Sequence, residues 1–135
     1  RVASSRLMKI EHVALWTHDI DQSRAFYQTY FEAEANERYE SARVRGFASY
    51  FLTFPGGETR LELMQLPQLS PMALPPALGY AHLAISVGSR ELVDALVARA
   101  RAAGVTIRSE ARMTGDGYYE AVIEDPDGNP VEVTA

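Results

Sequence analysis

Four residues of this chain carry metal-ligating side chains at regular intervals: His12, Glu62, His82 and Glu132, separated by 50, 20 and 50 residues. Each sits inside a short stretch that alternates aliphatic and polar positions. A lone histidine in such a stretch is ordinarily a hydrogen-bonded core residue, and a lone glutamate a solvated edge residue. Two carboxylates and two imidazoles sharing one half-buried surface are a different case. Carboxylates in such a place cost several kcal/mol unless they are neutralised. A divalent cation supplies the neutralisation, and two imidazoles complete a mixed nitrogen and oxygen shell. The chemistry indicated is the binding of one divalent metal ion.

Strand side chains alternate between faces, so residues two apart share a side. Val13 and Leu15 oppose His12, Ala14 and Trp16; Leu61 and Leu63 oppose Glu62 and Met64. Leu83, Ile85 and Val87 oppose His82, Ala84 and Ser86; Val131 and Val133 oppose Glu132 and Thr134. In each strand one face is aliphatic and suits packing under a helix, while the other bears one His or Glu.

The elements behind these strands repeat. Ile10-Glu11-His12-Val13-Ala14-Leu15 matches Tyr80-Ala81-His82-Leu83-Ala84-Ile85 at a displacement of 70, and Arg60-Leu61-Glu62-Leu63 matches Pro130-Val131-Glu132-Val133 at the same displacement. The turn Phe54-Pro55-Gly56-Gly57-Glu58 falls opposite Glu124-Asp125-Pro126-Asp127-Gly128. Each module opens with a strand (about 9–16 and 80–87). An amphipathic helix follows. The first starts near Asp21 and Ser23, with Phe26, Tyr27 and Tyr30 on its apolar side. The second starts near Ser89, with Leu92, Val93, Leu96, Val97 and Ala100 at helical spacing and Gly104 as its stop. Three strands close each module; in the second they fall at roughly 105–111, 117–124 and 130–134, the last two joined by the turn signal Asp125-Pro126-Asp127-Gly128-Asn129. The expected class is α+β: two βαβββ modules, residues 8–66 and 79–135, joined by a Pro-rich linker at 67–78. Pseudo-twofold pairing of the modules into a curved, barrel-like mixed sheet would bring the four ligands onto one surface.

The bulk composition removes other classes. With 47% hydrophobic and 23% charged residues, the chain has the makeup of an ordinary folded domain. It contains no cysteine, which excludes disulfides, thiol catalysis and Cys-ligated zinc and fits a cytoplasmic setting. A net charge of −5 argues against nucleic acid or anionic membrane as partner. No apolar stretch approaches the ~20 residues that span a bilayer. Met8 reads as a native start, and the preceding residues as an extension without the apolar segment of a signal peptide.

The paired modules, the strand-borne His and Glu pairs and the ending Glu124-Asp125-Pro126-Asp127-Gly128-Asn129-Pro130-Val131-Glu132 resemble the vicinal oxygen chelate superfamily, the glyoxalase/bleomycin resistance protein/dioxygenase family. The resemblance runs from Lys9 to Thr134, and the ligand set resembles that of bacterial glyoxalase I. It implies a homodimer and a metal with two open positions, where a substrate chelates through adjacent oxygens and an enediolate is stabilised. It also implies a ligating glutamate that moves a proton between neighbouring carbons. By position that catalytic role falls to Glu132, with Glu62 as its pseudo-symmetric partner.

The substrate grip differs from that family's. Glyoxalase I holds the glutathione carboxylates with an arginine four residues after the first ligand, where this chain has Trp16. An asparagine commonly stands four residues after the second ligand, where Leu66 is found; some members place an arginine four before the third, where Leu78 stands. Each change replaces a polar anion anchor with an apolar side chain. Trp16, Met64, Leu66 and Phe51 are therefore expected to bind a more apolar small molecule than a glutathione hemithioacetal. Arg43, Arg45 and Arg60 are either anion anchors or solvated strand positions. Tyr118 and Tyr119 straddle two faces, so that one could line the cavity and the other the core, and His18 reads as a surface or pocket-rim residue rather than a ligand. The lead expectation is a glyoxalase I-like lyase or isomerase. A small-molecule sequestering protein and an extradiol-type dioxygenase are the alternatives, the last made awkward by a fourth ligand at Glu62. Nickel, cobalt and zinc lead among the metals, with manganese and iron also compatible.

Overall fold

The computed structural model describes residues 7–135, so the expectation for the extension before Met8 falls mostly outside it. The chain divides into two compact units, with the main boundary between Leu69 and Ser70. Each unit carries one mixed sheet.

In the first unit, β1 (His12–Trp16) leads into helix α1 (Ile20–Phe31), and β2 (Glu34–Ala35), β3 (Tyr39–Glu40), β4 (Ala48–Thr53) and β5 (Arg60–Gln65) follow. The sheet runs β1-β5-β4-β2, with β3 also pairing to β4. The β1–β5 pair is parallel, in a register that sets Ala14 opposite Glu62 and Trp16 opposite Met64. The expected single strand after α1 is broken into β2 and β3, both antiparallel to β4. The break falls at Asn36, whose side-chain oxygen accepts the Phe51 amide at 2.8 Å and so substitutes for one rung of the ladder.

Helix α1 begins at Ile20, one residue ahead of Asp21 and close to the start that its polar residues suggest. Asp19 is the cap; its carboxylate accepts the amides of Asp21 and Gln22. The Ile20 amide is taken by the Gln65 side chain at 2.9 Å, which ties the helix start to the end of β5. Asp21 accepts from the Tyr50 hydroxyl and from Arg38, and Arg24 donates to the same hydroxyl. These bonds join α1 to β4. Ile20, Phe26, Tyr27, Tyr30 and Phe31 are buried, as are Leu52, Leu61 and Leu63 of the sheet.

The loop between β3 and β4 turns at Gly46, whose φ of 78° lies in the left-handed region. A Cβ at this position would run into the Pro67 ring, so the glycine serves both the turn and the close approach of the chain after β5.

In the second unit, β6 (Leu83–Ser86) is followed by helix α2 (Arg90–Ala102), then β7 (Ile107–Met113), β8 (Tyr119–Glu124) and β9 (Pro130–Thr134). The order is β6-β9-β8-β7, with β6 and β9 parallel and in the register Ala84 opposite Glu132. Ser89 caps α2 by accepting the Leu92 amide. The helix lies over β7, β8 and β9 and buries Val93, Leu96, Val97 and Ala100. Leu92, expected on that apolar side, is exposed; it sits over Gly88 at the rim of the helix start. The β8–β9 turn is held from inside by buried Asp125, which accepts the amides of Asp127 and Asn129 and the Asn129 side chain.

The α+β class and the twice-used order of strand, helix and strands are those expected from the repeat. In each sheet the strand that begins at or just after the histidine is the edge, and the strand bearing the glutamate is its inner neighbour. Residues 67–78 contain no helix or strand. Among the described residues no helix is long and apolar enough to cross a membrane.

Candidate metal-binding site

In each unit two neighbouring strands bring one candidate pair together. In the first unit His12 opens β1 and is opposite Arg60, while Glu62 lies two residues further along β5, on the same face. His12 Nε2 stands 3.6 Å from Glu62 Oε1. In the second unit His82 is the residue just before β6, and its Nε2 stands 3.1 Å from Glu132 Oε2. Both carboxylates are mostly covered and both imidazoles more open.

The structure thus brings the predicted ligands together in pairs, His12 with Glu62 and His82 with Glu132. Among the described residues no group of three or more His, Asp or Glu side chains forms a metal cage.

The pairs have the donor chemistry of a divalent cation site. Glu11 contacts His12 Nδ1 through Oε1 at 2.7 Å, and Arg60 donates to both Glu11 oxygens. The Arg60 guanidinium, with help from His12, holds the Glu11 carboxyl down at about 2. An ionised carboxylate can only accept, so the His12 proton in this bond belongs to Nδ1. In the neutral ring the lone pair of Nε2 then faces Glu62. Two electron-rich atoms converge there, an arrangement suited to a cation.

The surroundings of the first pair are aromatic. Phe51 lies directly opposite Glu62 on β4, and its ring meets the His12 ring edge-on at 5.2 Å. The Arg60 guanidinium is stacked over Phe51 at 4.0 Å. Further along the same face, Trp16 is 46% exposed and packs edge-on against Phe47, which in turn meets Tyr39. Met64 and Leu66 are half-buried beside them. The surroundings of the second pair are acidic. Glu120 is on the Glu132 side of β8, and its carboxyl is raised by burial first and by the Glu132 charge second.

The remaining candidate residues fall as follows. Arg60 is not an available anion anchor, because Glu11 occupies it. Arg43 and Arg45 lie on the exposed loop between β3 and β4, and His18 is exposed between β1 and α1. Tyr119 faces α2, donating to Asp94 with Arg90 over its ring, whereas Tyr118 is exposed ahead of β8. Glu11, Arg60 as its holder, and Glu120 are the residues that sequence reasoning missed. Strand periodicity places Glu120 on the ligand face, but a polar residue there is common. Glu11 lies on the face opposite His12 by strand parity, and its side chain reaches round only because β1 has not yet begun.

Comparison with known proteins agrees with this architecture. Residues 9–133 match the family described as Glyoxalase/Bleomycin resistance protein/Dioxygenase superfamily. An uncharacterised protein of Pseudomonas aeruginosa, PA2024, is 32% identical over 126 residues, covering 91% of this chain and 85% of its own. The crystal structure of SMU.1112c superposes with a TM-score of 0.78 at 27% identity, covering 96% of this chain and 99% of that one. The trypanothione-dependent glyoxalase I of Leishmania major superposes at 0.74 with 25% identity, covering 94% and 86%. With the whole of its repeat inside the match, the chain belongs to the Glyoxalase/Bleomycin resistance protein/Dioxygenase superfamily.

Proposed function

We propose that the protein is a metal-dependent lyase or isomerase of glyoxalase I type, acting on a small apolar molecule that chelates through adjacent oxygens. One divalent ion, with nickel, cobalt or zinc foremost, is held by His12 and Glu62 from one module and His82 and Glu132 from the other. The reading holds whether the two pairs come from one chain or from two copies in a homodimer. The observation that carries it is the repeated pair: in each module an imidazole Nε2 and a glutamate oxygen converge at 3.6 and 3.1 Å. Members of the superfamily commonly bind a divalent metal. The lack of cysteine supports a reducing, cytoplasmic setting.

The ion, when bound, would supply Lewis-acid polarisation of neighbouring substrate oxygens. The chain's own residues do the rest. Glu132 serves as the proton carrier between adjacent carbons and Glu62 as its counterpart. Burial and the Glu132 charge raise the carboxyl of Glu120. Trp16, Phe51, Met64 and Leu66 form the apolar part of the substrate surface.

Metal analysis of the purified protein tests this. One equivalent of ion per chain, or per pair of chain halves, is expected, with a large loss in Glu62→Gln and Glu132→Gln. Unchanged metal content in both variants would remove the assignment. A second reading, a protein that sequesters an apolar ligand, is favoured by the exposed Trp16–Phe47–Tyr39 aromatics. Ligand binding that persists after complete metal removal would select it.

A further inference from the structure

The two histidines occupy equivalent places in the repeat but are not equally supported. Glu11, just ahead of β1, accepts Arg60 Nε at 3.0 Å on Oε2 and Arg60 Nη2 at 2.9 Å on Oε1; the same Oε1 lies 2.7 Å from His12 Nδ1. The guanidinium is itself seated over the Phe51 ring, and the Phe51 ring stands edge-on to the imidazole. His12 is thus gripped through its polar Nδ1 and against its ring. A displacement of 70 puts Ala81 at the place of Glu11, Pro130 at that of Arg60 and Ala121 at that of Phe51. None of the three clamp side chains has a counterpart in the second module. Among the described residues His82 pairs through Nε2 alone, with Glu132.

We propose that Glu11 is a positioning residue. It fixes His12 in the Nδ1–H tautomer and turns the Nε2 lone pair toward Glu62, while Arg60, stacked on Phe51, holds Glu11 in place. A neutral imidazole has one proton to place, and a carboxylate at one nitrogen decides that the other is the donor atom. Free imidazole side chains in water favour the opposite tautomer, with the proton on Nε2, so an unsupported ring must give up its preferred form before it can ligate through that atom. His12 has made that change in advance; His82 has not. The proposal rests on His12 being a ligand, as argued above.

Ring-nitrogen NMR of the 15N-labelled, metal-free protein at mildly alkaline pH, followed by calorimetric titration with Ni(II) or Zn(II), tests it. In the wild type His12 is expected as Nδ1–H and His82 as predominantly Nε2–H. Glu11→Ala should move His12 toward Nε2–H, leave the His82 signals in place, and weaken metal binding by roughly 10–100-fold. Glu11→Gln keeps an acceptor oxygen and should recover part of both, which a purely structural role for Glu11 would not predict. A wild-type His12 found as Nε2–H overturns the proposal. So does a Glu11→Ala variant with unchanged tautomer and unchanged affinity. A wild type that binds neither metal overturns the ligand assignment itself, and the ring-nitrogen spectrum then still decides whether Glu11 sets the tautomer.

Discussion

Trp16 and Met64 stand directly opposite one another across the parallel β1–β5 pair, four register steps beyond the pairing of Arg60 with His12. The distance along the strand from ligand to Trp16 is four residues, about 13 Å at 3.3 Å per residue. This is the stretch where an anionic cosubstrate would need a cation, and the face offers an indole, a thioether and the Phe47 ring. With methylglyoxal and glutathione, turnover is expected to be far below that of a dedicated glyoxalase I. A spectrophotometric assay for the thioester product checks this, and efficient turnover would contradict the apolar reading of Trp16 and Leu66.

Leu63 is fully buried on the aliphatic face of β5, with Tyr50 opposite it on β4. Leu63→Ala removes packing that a rigid sheet cannot refill, and should cost about 3 kcal/mol of stability. Urea unfolding measures it. A loss below about 1 kcal/mol would mean that this face is loosely packed.

Gly46 combines a left-handed backbone with a site that the Pro67 ring leaves no room to fill. Gly46→Ala adds both backbone strain and a steric conflict, and a loss of roughly 1–3 kcal/mol is expected. Thermal unfolding compared with Gly56→Ala, where a Cβ meets nothing, isolates the effect. Equal melting temperatures would count against the close approach.

The carboxyl of Asp21 is held below the ordinary aspartate range, first by the Tyr50 hydroxyl and then, against the cost of burial, by Arg38 and Arg24. A lowered folded value means that the ionised form is the one the fold stabilises. The contribution is present above the usual aspartate range and is lost as pH falls through the folded value. Asp21→Asn should therefore cost stability near neutral pH and cost less at about pH 3. Because the carboxylate is half exposed, the neutral-pH effect should stay below about 1 kcal/mol. Denaturant titrations at the two pH values measure the difference, and a constant gap between variant and wild type would exclude this role.

Much of this was legible beforehand, for identifiable reasons. Period-two alternation around His12, Glu62, His82 and Glu132 reports burial directly, so the faces of β1, β5 and β9 follow from it. The displacement of 70 carries the order of the second module onto the first. The helix start near Asp21 was legible from its polar residues, but the tie of the Ile20 amide to Gln65, 45 residues away, was not. The split of β2 from β3 depends on one asparagine replacing a backbone rung. The clamp on His12 needs Glu11, Arg60 and Phe51 from three strands or their ends, and no local pattern links them. The pairing of each His with its own Glu follows from parallel register, which sequence periodicity does not encode.

The histidines and glutamates of this site also differ in mechanical footing. Among the described residues β1 and β6 are bound to their own sheet along one side, whereas β5 and β9 are flanked on both. Each pair therefore joins a compliant donor to a stiff one. At the proposed site, a change in ion radius or coordination would then be absorbed by movement of the imidazole strands, with the carboxylates nearly stationary. Amide exchange should reflect this, with the β1 and β6 rungs opening sooner than those of β5 and β9. Glu11 and Arg60 then acquire a second significance: they brace one of the two compliant strands, so the softer side of the whole arrangement is His82.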